Sequence, residues 1–331
     1  MNLKKIGLTA LAGSLVATSV YAGELAVSGS ASMKVVHVNG GAANAGKSFS
    51  MGNSVTFTGG GELDNGMTVA VSFELDQGAA NNAAVASAGT VAANSGAVFD
   101  SHSVTVSSDA LGSLTFAGHG GSSAQSAIDT TAAGDLWDST FMAAGVKPKA
   151  SATSNNMFLY TLPSIVDGVS VAASYTPTST TSQSSTAYSI AYTGVEGLAV
   201  HYASGADDST VGATVDVDTI KATYAYGPVS VGYSMTEYDS EATGVDIDQD
   251  VESYNISYTV SENISVSYGK ETISEPMDTD DQDIEVSGIS ASYTTGGMTI
   301  SGTMLDADNT AMGTANIQDK QQWSLAASFA F

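Results

Sequence analysis

The stretch QQWSLAASFAF, residues 321–331, decides how the rest of the chain is read. Trp323, Leu325, Ala327, Phe329 and Phe331 fall on one parity; Gln322, Ser324, Ala326, Ser328 and Ala330 fall on the other. Alternation of this kind marks a strand with one apolar and one polar face. The pattern recurs upstream. Met67, Val69, Val71, Phe73 and Leu75 interleave with Thr68, Ala70, Ser72, Glu74 and Asp76, and Val229, Val231, Tyr233 and Met235 with Ser230, Gly232, Ser234 and Thr236.

The connections between such runs alternate in length. Short ones carry turn chemistry, as in Asp64-Asn65-Gly66, Gly227-Pro228 and Thr295-Gly296-Gly297. Long ones are polar and small-residued, at 37–50, 78–99, 120–155, 177–185, 205–214, 239–250, 274–282 and 306–319. The strands then fall at 25–36, 53–63, 67–77, 100–108, 113–119, 156–162, 169–177, 186–193, 198–204, 215–226, 229–238, 251–260, 264–273, 283–294, 298–305 and 321–331, sixteen in all.

Residues 1–22 are expected to be a secretory signal peptide: Lys4 and Lys5, an apolar stretch at 6–20, then a small-residue site at Val20-Tyr21-Ala22. The mature domain is then 23–331. Without Lys4 and Lys5, seven lysines face 34 acids, a net charge of −27, and there is no arginine. Phosphate binding needs clustered cations, so nucleic acid is excluded as a partner, while solution cations are attracted. Cysteine is absent, so backbone hydrogen bonds, packing or assembly must hold the exported chain.

Two all-β architectures compete. A soluble sandwich hides its apolar face in a core; a transmembrane barrel turns it to lipid and keeps the polar face inside. The second face is rich in Ser, Thr, Asn and Gln, too polar for a soluble core. Aromatic residues gather toward strand ends, and short turns alternate with long loops. Sixteen strands also leave an aqueous bore. The reading is an all-β, 16-stranded antiparallel transmembrane barrel. On it, 321–331 closes the sheet against the first strand, with Trp323, Leu325, Phe329 and Phe331 facing lipid. Tyr175, Tyr188, Tyr192, Tyr202, Tyr233, Tyr258 and Tyr268 share the lipid parity, which argues against an aromatic sugar path along the lumen.

The unit Ser54-Val55-Thr56-Phe57 through Gly61-Glu62-Leu63-Asp64-Asn65-Gly66-Met67, the run Ser113-Leu114-Thr115-Phe116-Ala117-Gly118-His119, and Phe158-Leu159-Tyr160-Thr161-Leu162-Pro163 before Gly168-Val169-Ser170 resemble, in this order, the sixteen-stranded Gram-negative general porins. The resemblance covers the mature length and includes Phe331. It implies an outer-membrane diffusion channel for small hydrophilic solutes, a homotrimer in contact with lipid and lipopolysaccharide, and a Phe331 read by the barrel assembly machinery. It also implies that the long connection 120–155 folds into the bore as a constriction. That segment carries Asp129, Asp135, Trp137, Asp138, Phe141, Lys147 and Lys149.

Where the family often has a wall arginine, this chain has His119, which parity places on the polar face with Ser113 and Thr115. Lys34, His201 and Lys221 fall on polar faces too. The expected eyelet is therefore Asp129, Asp135 and Asp138 on the loop, faced by Lys34, His119 and Lys221, with cations preferred. A substrate-selective porin and a structural or adhesive surface barrel remain as alternatives. No catalytic motif supports an enzyme. No cofactor is expected, and no metal motif occurs. The acidic loops carrying Asp246, Asp248, Asp250, Asp278, Asp280 and Asp281 are at most a Ca²⁺ or Mg²⁺ surface bridging loops or lipopolysaccharide.

Overall fold

The computed structural model describes residues 25–40, 46–76, 99–138, 153–154, 156–177, 184–210, 213–242, 245–246, 248–274, 283–310 and 319–331. The expected signal peptide, Phe141, Lys147, Lys149, Asp278, Asp280 and Asp281 lie outside them.

Sixteen antiparallel strands form one closed sheet. They are β1 (Leu25–Asn39), β2 (Gly46–Glu62), β3 (Thr68–Asp76), β4 (Ser101–Ser108), β5 (Gly112–His119), β6 (Met157–Thr161), β7 (Val169–Thr176), β8 (Ser185–Tyr192), β9 (Leu198–Thr210), β10 (Ala213–Tyr226), β11 (Val229–Ala242), β12 (Gln249–Ser261), β13 (Ile264–Ser274), β14 (Ile284–Thr295), β15 (Met298–Asp308) and β16 (Lys320–Ala330). Each pairs with its sequence neighbours. β1 pairs with β2 on one side and β16 on the other, with His37 opposite Trp323 and Lys34 opposite both Ser50 and Ala326. Closure leaves no unpaired edge, the condition for a sheet in lipid. The seam is fastened at Phe331, which exchanges two backbone hydrogen bonds with Gly29 (2.8 and 3.0 Å). A Cβ at Gly29 would lie 2.6 Å from the tip of the Phe331 ring, so a larger residue there must turn the ring aside.

Local chemistry sets the short turns. Gly66 adopts φ +79°, and the Asn65 side chain accepts a hydrogen bond from the Met67 N–H (3.1 Å). In the turn-side half of the barrel the parity reading holds. Outward residues are apolar and exposed, among them Leu114, Val231, Ile256, Leu325 and all seven tyrosines named above. Inward residues are hydroxyls that pair across strands: Ser30 with Ser54, Thr105 with Thr115, Ser265 with Ser292, and Ser267 with Ser290.

In the other half the pattern inverts. Val36, Val38, Val215, Val217, Tyr238, Val251, Ile273, Ile284, Val286, Leu305 and Ala307 form one buried cluster, and all lie on the inward parity. Their outward neighbours include Asp216, Glu252, Glu285, Asp306 and Asp308, all exposed. The expectation of an inner face rich in Ser, Thr, Asn and Gln is corrected for this half. The strands are also longer than expected at this end. The connections read at 205–214 and 239–250 are mostly strand, because β9, β10 and β11 run on to Thr210, from Ala213 and to Ala242. Alternating acids and valines there keep period two, although their polarity reads as loop.

Candidate functional site

The chain leaves β5 at Gly120, and a two-residue ladder pairing Gly121 with Ser154 and Ser122 with Thr153 ties the two ends of the long connection together. Beyond this neck, residues 123–138 run across the inner wall, held by hydrogen bonds to β7 and then to β10, β11, β12 and β13. The Ala124 N–H donates to Ser174 Oγ on β7 (2.9 Å), and Gln125 Nε2 to Thr219 Oγ1 on β10 (2.9 Å). The Ala132 N–H donates to Ser234 Oγ on β11 (2.8 Å), the Ala133 N–H to Ser253 Oγ on β12 (2.9 Å), and the Trp137 N–H to Glu271 Oε2 on β13 (2.9 Å). All five acceptors are on the inward parity. The described part of the connection therefore lies inside the barrel, along the arc from β7 to β13. Its close approach depends on glycine, since a Cβ at Gly269 would stand 2.6 Å from Ala133 Cβ.

Glu271 is the anchor that the sequence did not reveal. It is fully buried. Its Oε1 accepts from the Thr131 hydroxyl and, at 3.5 Å, from Ser253 Oγ, and Thr131 Oγ1 in turn accepts the Asp135 N–H (2.8 Å). A buried carboxylate persists only when its lone pairs are filled in this way. In the sequence it reads as one more acid beside Lys270, whose ammonium pairs outward with Glu285 at 2.8 Å. The available signal was parity: Glu271 shares its face with Ser265, Ser267 and Gly269. Leu136 and Trp137 then pack against the apolar inner cluster, so this stretch is held by hydrogen bonds and by burial together.

The charges converge between these anchors. Lys221 Nζ donates to the Thr130 carbonyl (2.5 Å), which places its ammonium beside Asp129 and Asp135. Burial pushes the Asp129 carboxyl up to about 6; the Asp135 charge adds to this, and local backbone N–H groups and Lys221 oppose it. Asp135 sits at φ +56° and accepts the Thr131 N–H (2.8 Å). Tyr238 lies buried within the field of Asp129, Asp135 and Glu271.

Of the six expected eyelet residues, Asp129, Asp135 and Lys221 come together. Asp138 closes the short 3-10 turn Leu136–Asp138 on the same segment. Lys34 lies inward and exposed on β1, across the bore from β10. His201 is paired in register with Lys221. His119 is not part of this group. A register shift pairs Ser103 with Ala117 but His102 with His119, leaving Gly118 as the extra residue of a bulge. His102 shares the outward parity of Val104 and Val106, and its ring stacks with that of His119 at 6.5 Å. Parity counted along the strand is thus interrupted at Gly118. Among the described residues no group of three or more ligating side chains is placed to hold a metal.

A family model described as Gram-negative porin matches residues 7–331. Among solved structures, a porin refined at 1.8 Å resolution aligns with 20% identity and a TM-score of 0.66, over 93% of this chain and all of that one. OmpT of Vibrio cholerae lacking loop L8 aligns with 16% identity and a TM-score of 0.69, over 94% of this chain and all of that one. The anion-selective porin of Comamonas acidovorans gives 16% and 0.69, over 93% and 100%. No curated protein sequence matches.

Proposed function

This chain belongs to the Gram-negative porin family and forms an outer-membrane barrel channel, and on that premise we propose that it passes small hydrophilic solutes and ions passively, with a preference for cations. The observation that carries the proposal is the acid-bearing segment lying against the β7–β13 arc. It narrows one side of the bore and leaves the opposite arc, with Lys34, facing it. Asp129 and Asp135 share a single ammonium, Lys221, so that side is net negative, and Lys34 supplies a transverse field across the gap. The overall charge raises the local cation concentration in the same direction. The comparison with an anion-selective relative concerns fold alone. The polarity of conduction here rests on this chain's own charges and its lack of arginine.

By the pattern of the family, the working unit is a homotrimer in contact with lipopolysaccharide, inserted by the barrel assembly machinery. It is a channel rather than an enzyme, with no cofactor. The outward placement of the tyrosines supports general diffusion over a sugar-selective path. Single-channel recording across a salt gradient tests the central reading. A reversal potential of cation sign is expected, and clear anion selectivity, or no conductance at all, overturns it.

A further inference from the structure

Away from the bore, the bulge in β5 assembles something the channel does not use. His102 on β4 and His119 on β5 are cross-strand partners. Their rings are nearly parallel, 13° apart, with centroids 6.5 Å apart. His119 Nδ1 is hydrogen-bonded to the Asp100 carbonyl. A carbonyl only accepts, so Nδ1 carries the proton and Nε2 keeps its lone pair. This arrangement, a ring N–H fixed on a backbone carbonyl with the other nitrogen free, is the one that orients metal-ligating histidines. His102 Nδ1 is buried with no hydrogen-bond partner, an acceptor or donor left over by the fold. The His102 ring occupies the space over Gly118, where a Cβ would collide with Nε2. The glycine thus sets the position of the ring.

We infer that His102 and His119 form a two-histidine site for a transition-metal ion of the imidazole-preferring class, Zn²⁺, Ni²⁺ or Cu²⁺. With metal–nitrogen bonds of about 2.0–2.1 Å and tetrahedral geometry, two rings sharing an ion have centroids roughly 5 Å apart, so binding requires the His102 ring to turn out of its parallel orientation and approach His119 by about 1 Å. Among the described residues no third protein ligand joins them, and solvent fills the remaining positions. Phe73, the register partner of His102, packs against Phe99 with ring centroids 5.2 Å apart and tilted by 44°. The strongly negative protein draws cations to its surface. Occupancy would pin the base of the connection ending at Phe99 to the base of the constriction segment, which begins one residue after His119.

The test uses the folded, detergent-solubilised full protein titrated calorimetrically with Zn²⁺, Ni²⁺ and Cu²⁺. One tight ion per protomer is expected, weakened at least tenfold by His102→Asn and by His119→Asn and left unchanged by His37→Asn. Gly118→Ala, which displaces the His102 ring without removing a ligand, should weaken it as well. Cu²⁺ electron paramagnetic resonance on the unsubstituted protein should show coupling to two imidazole nitrogens, a readout that does not depend on any variant folding. Absence of a tight ion, affinity unchanged in both histidine variants, or a copper spectrum with oxygen ligands only, overturns the site and assigns any binding to the acidic surface.

Discussion

At the scale of single residues, the constriction is governed by carboxylates in two different states of satisfaction. Glu271 has its oxygens filled by Thr131, Trp137 and Ser253; at Asp129 desolvation outweighs the opposing backbone N–H groups and Lys221. A carboxyl held near 6 binds its proton more tightly folded than unfolded, so its contribution to stability is present at low pH and fades as pH rises from about 4 through 6. The same titration changes the pore. Lowering pH from 7.5 to 5 should reduce cation preference with a midpoint near 6, and Asp129→Asn should abolish that pH dependence; reversal potentials taken at each pH check it. Glu271→Ala leaves the Thr131 hydroxyl and the Trp137 N–H buried without an acceptor, at about 1–3 kcal/mol for each group. Open-channel noise should rise in this variant while the barrel still folds, and recordings as quiet as those of the unsubstituted channel would count against the anchoring role. Neither residue could be ranked from the sequence. The Thr131 partner of Glu271 is 140 residues away in the chain, and the desolvation of Asp129 exists only once the loop lies on the wall.

At the scale of elements, each long strand carries two consecutive patterns. Near the turns it is apolar outward and hydroxyl inward; near the long connections it is acidic outward and apolar inward. Period two survives the change, so strand positions were legible to within a few residues along most of the chain. What each parity meant was legible only in the turn-side half. The inversion follows from surroundings that the sequence does not display: the inserted segment gives the upper inner wall something apolar to bury against, and the upper outer wall stands where charge is hydrated. The bulge at Gly118 was illegible for a related reason, since one extra residue shifts parity without altering composition. The wall that seats the loop is itself an element-level device. Gly269→Val should push Ala133 off β13, because even a Cβ closes to 2.6 Å. Conductance should change by a factor of about two in either direction, while the thermal stability of the barrel moves little, since strand hydrogen bonds are untouched and overpacking costs about 1–3 kcal/mol. An unaltered conductance would mean that the segment tolerates displacement and does not set the bore.

At the scale of the whole molecule, closure is the property on which everything else depends, and it was visible in the alternation of residues 321–331. The seam joins β16 to β1 along ten register pairs from Ser30 with Ala330 to Asn39 with Gln321, and Phe331 adds two backbone bonds to Gly29. Two roles for Phe331 are separable. As a seam residue, its ring fills the space that Gly29 leaves empty. As an address, a role proposed from the family pattern, it would be read by the assembly machinery before the barrel closes. Removing Phe331 affects both. Gly29→Leu leaves Phe331 in the chain and blocks only its seat, where a Cβ would already lie 2.6 Å from the ring. If the seam is what matters, both variants should reach the outer membrane poorly and lose heat resistance in detergent to a similar degree. If the address dominates, loss of Phe331 should lower outer-membrane levels several-fold while Gly29→Leu assembles nearly normally with a lowered melting temperature. The backbone bonds to Gly29 support the seam role, and we propose that the address adds to it. The expected order of outer-membrane abundance is therefore unsubstituted protein, then Gly29→Leu, then the protein without Phe331, with single-channel conductance unchanged in whatever fraction assembles. Abundance equal to the unsubstituted protein in both variants would refute both roles, because a barrel indifferent to its seam residue needs neither the fit nor the signal.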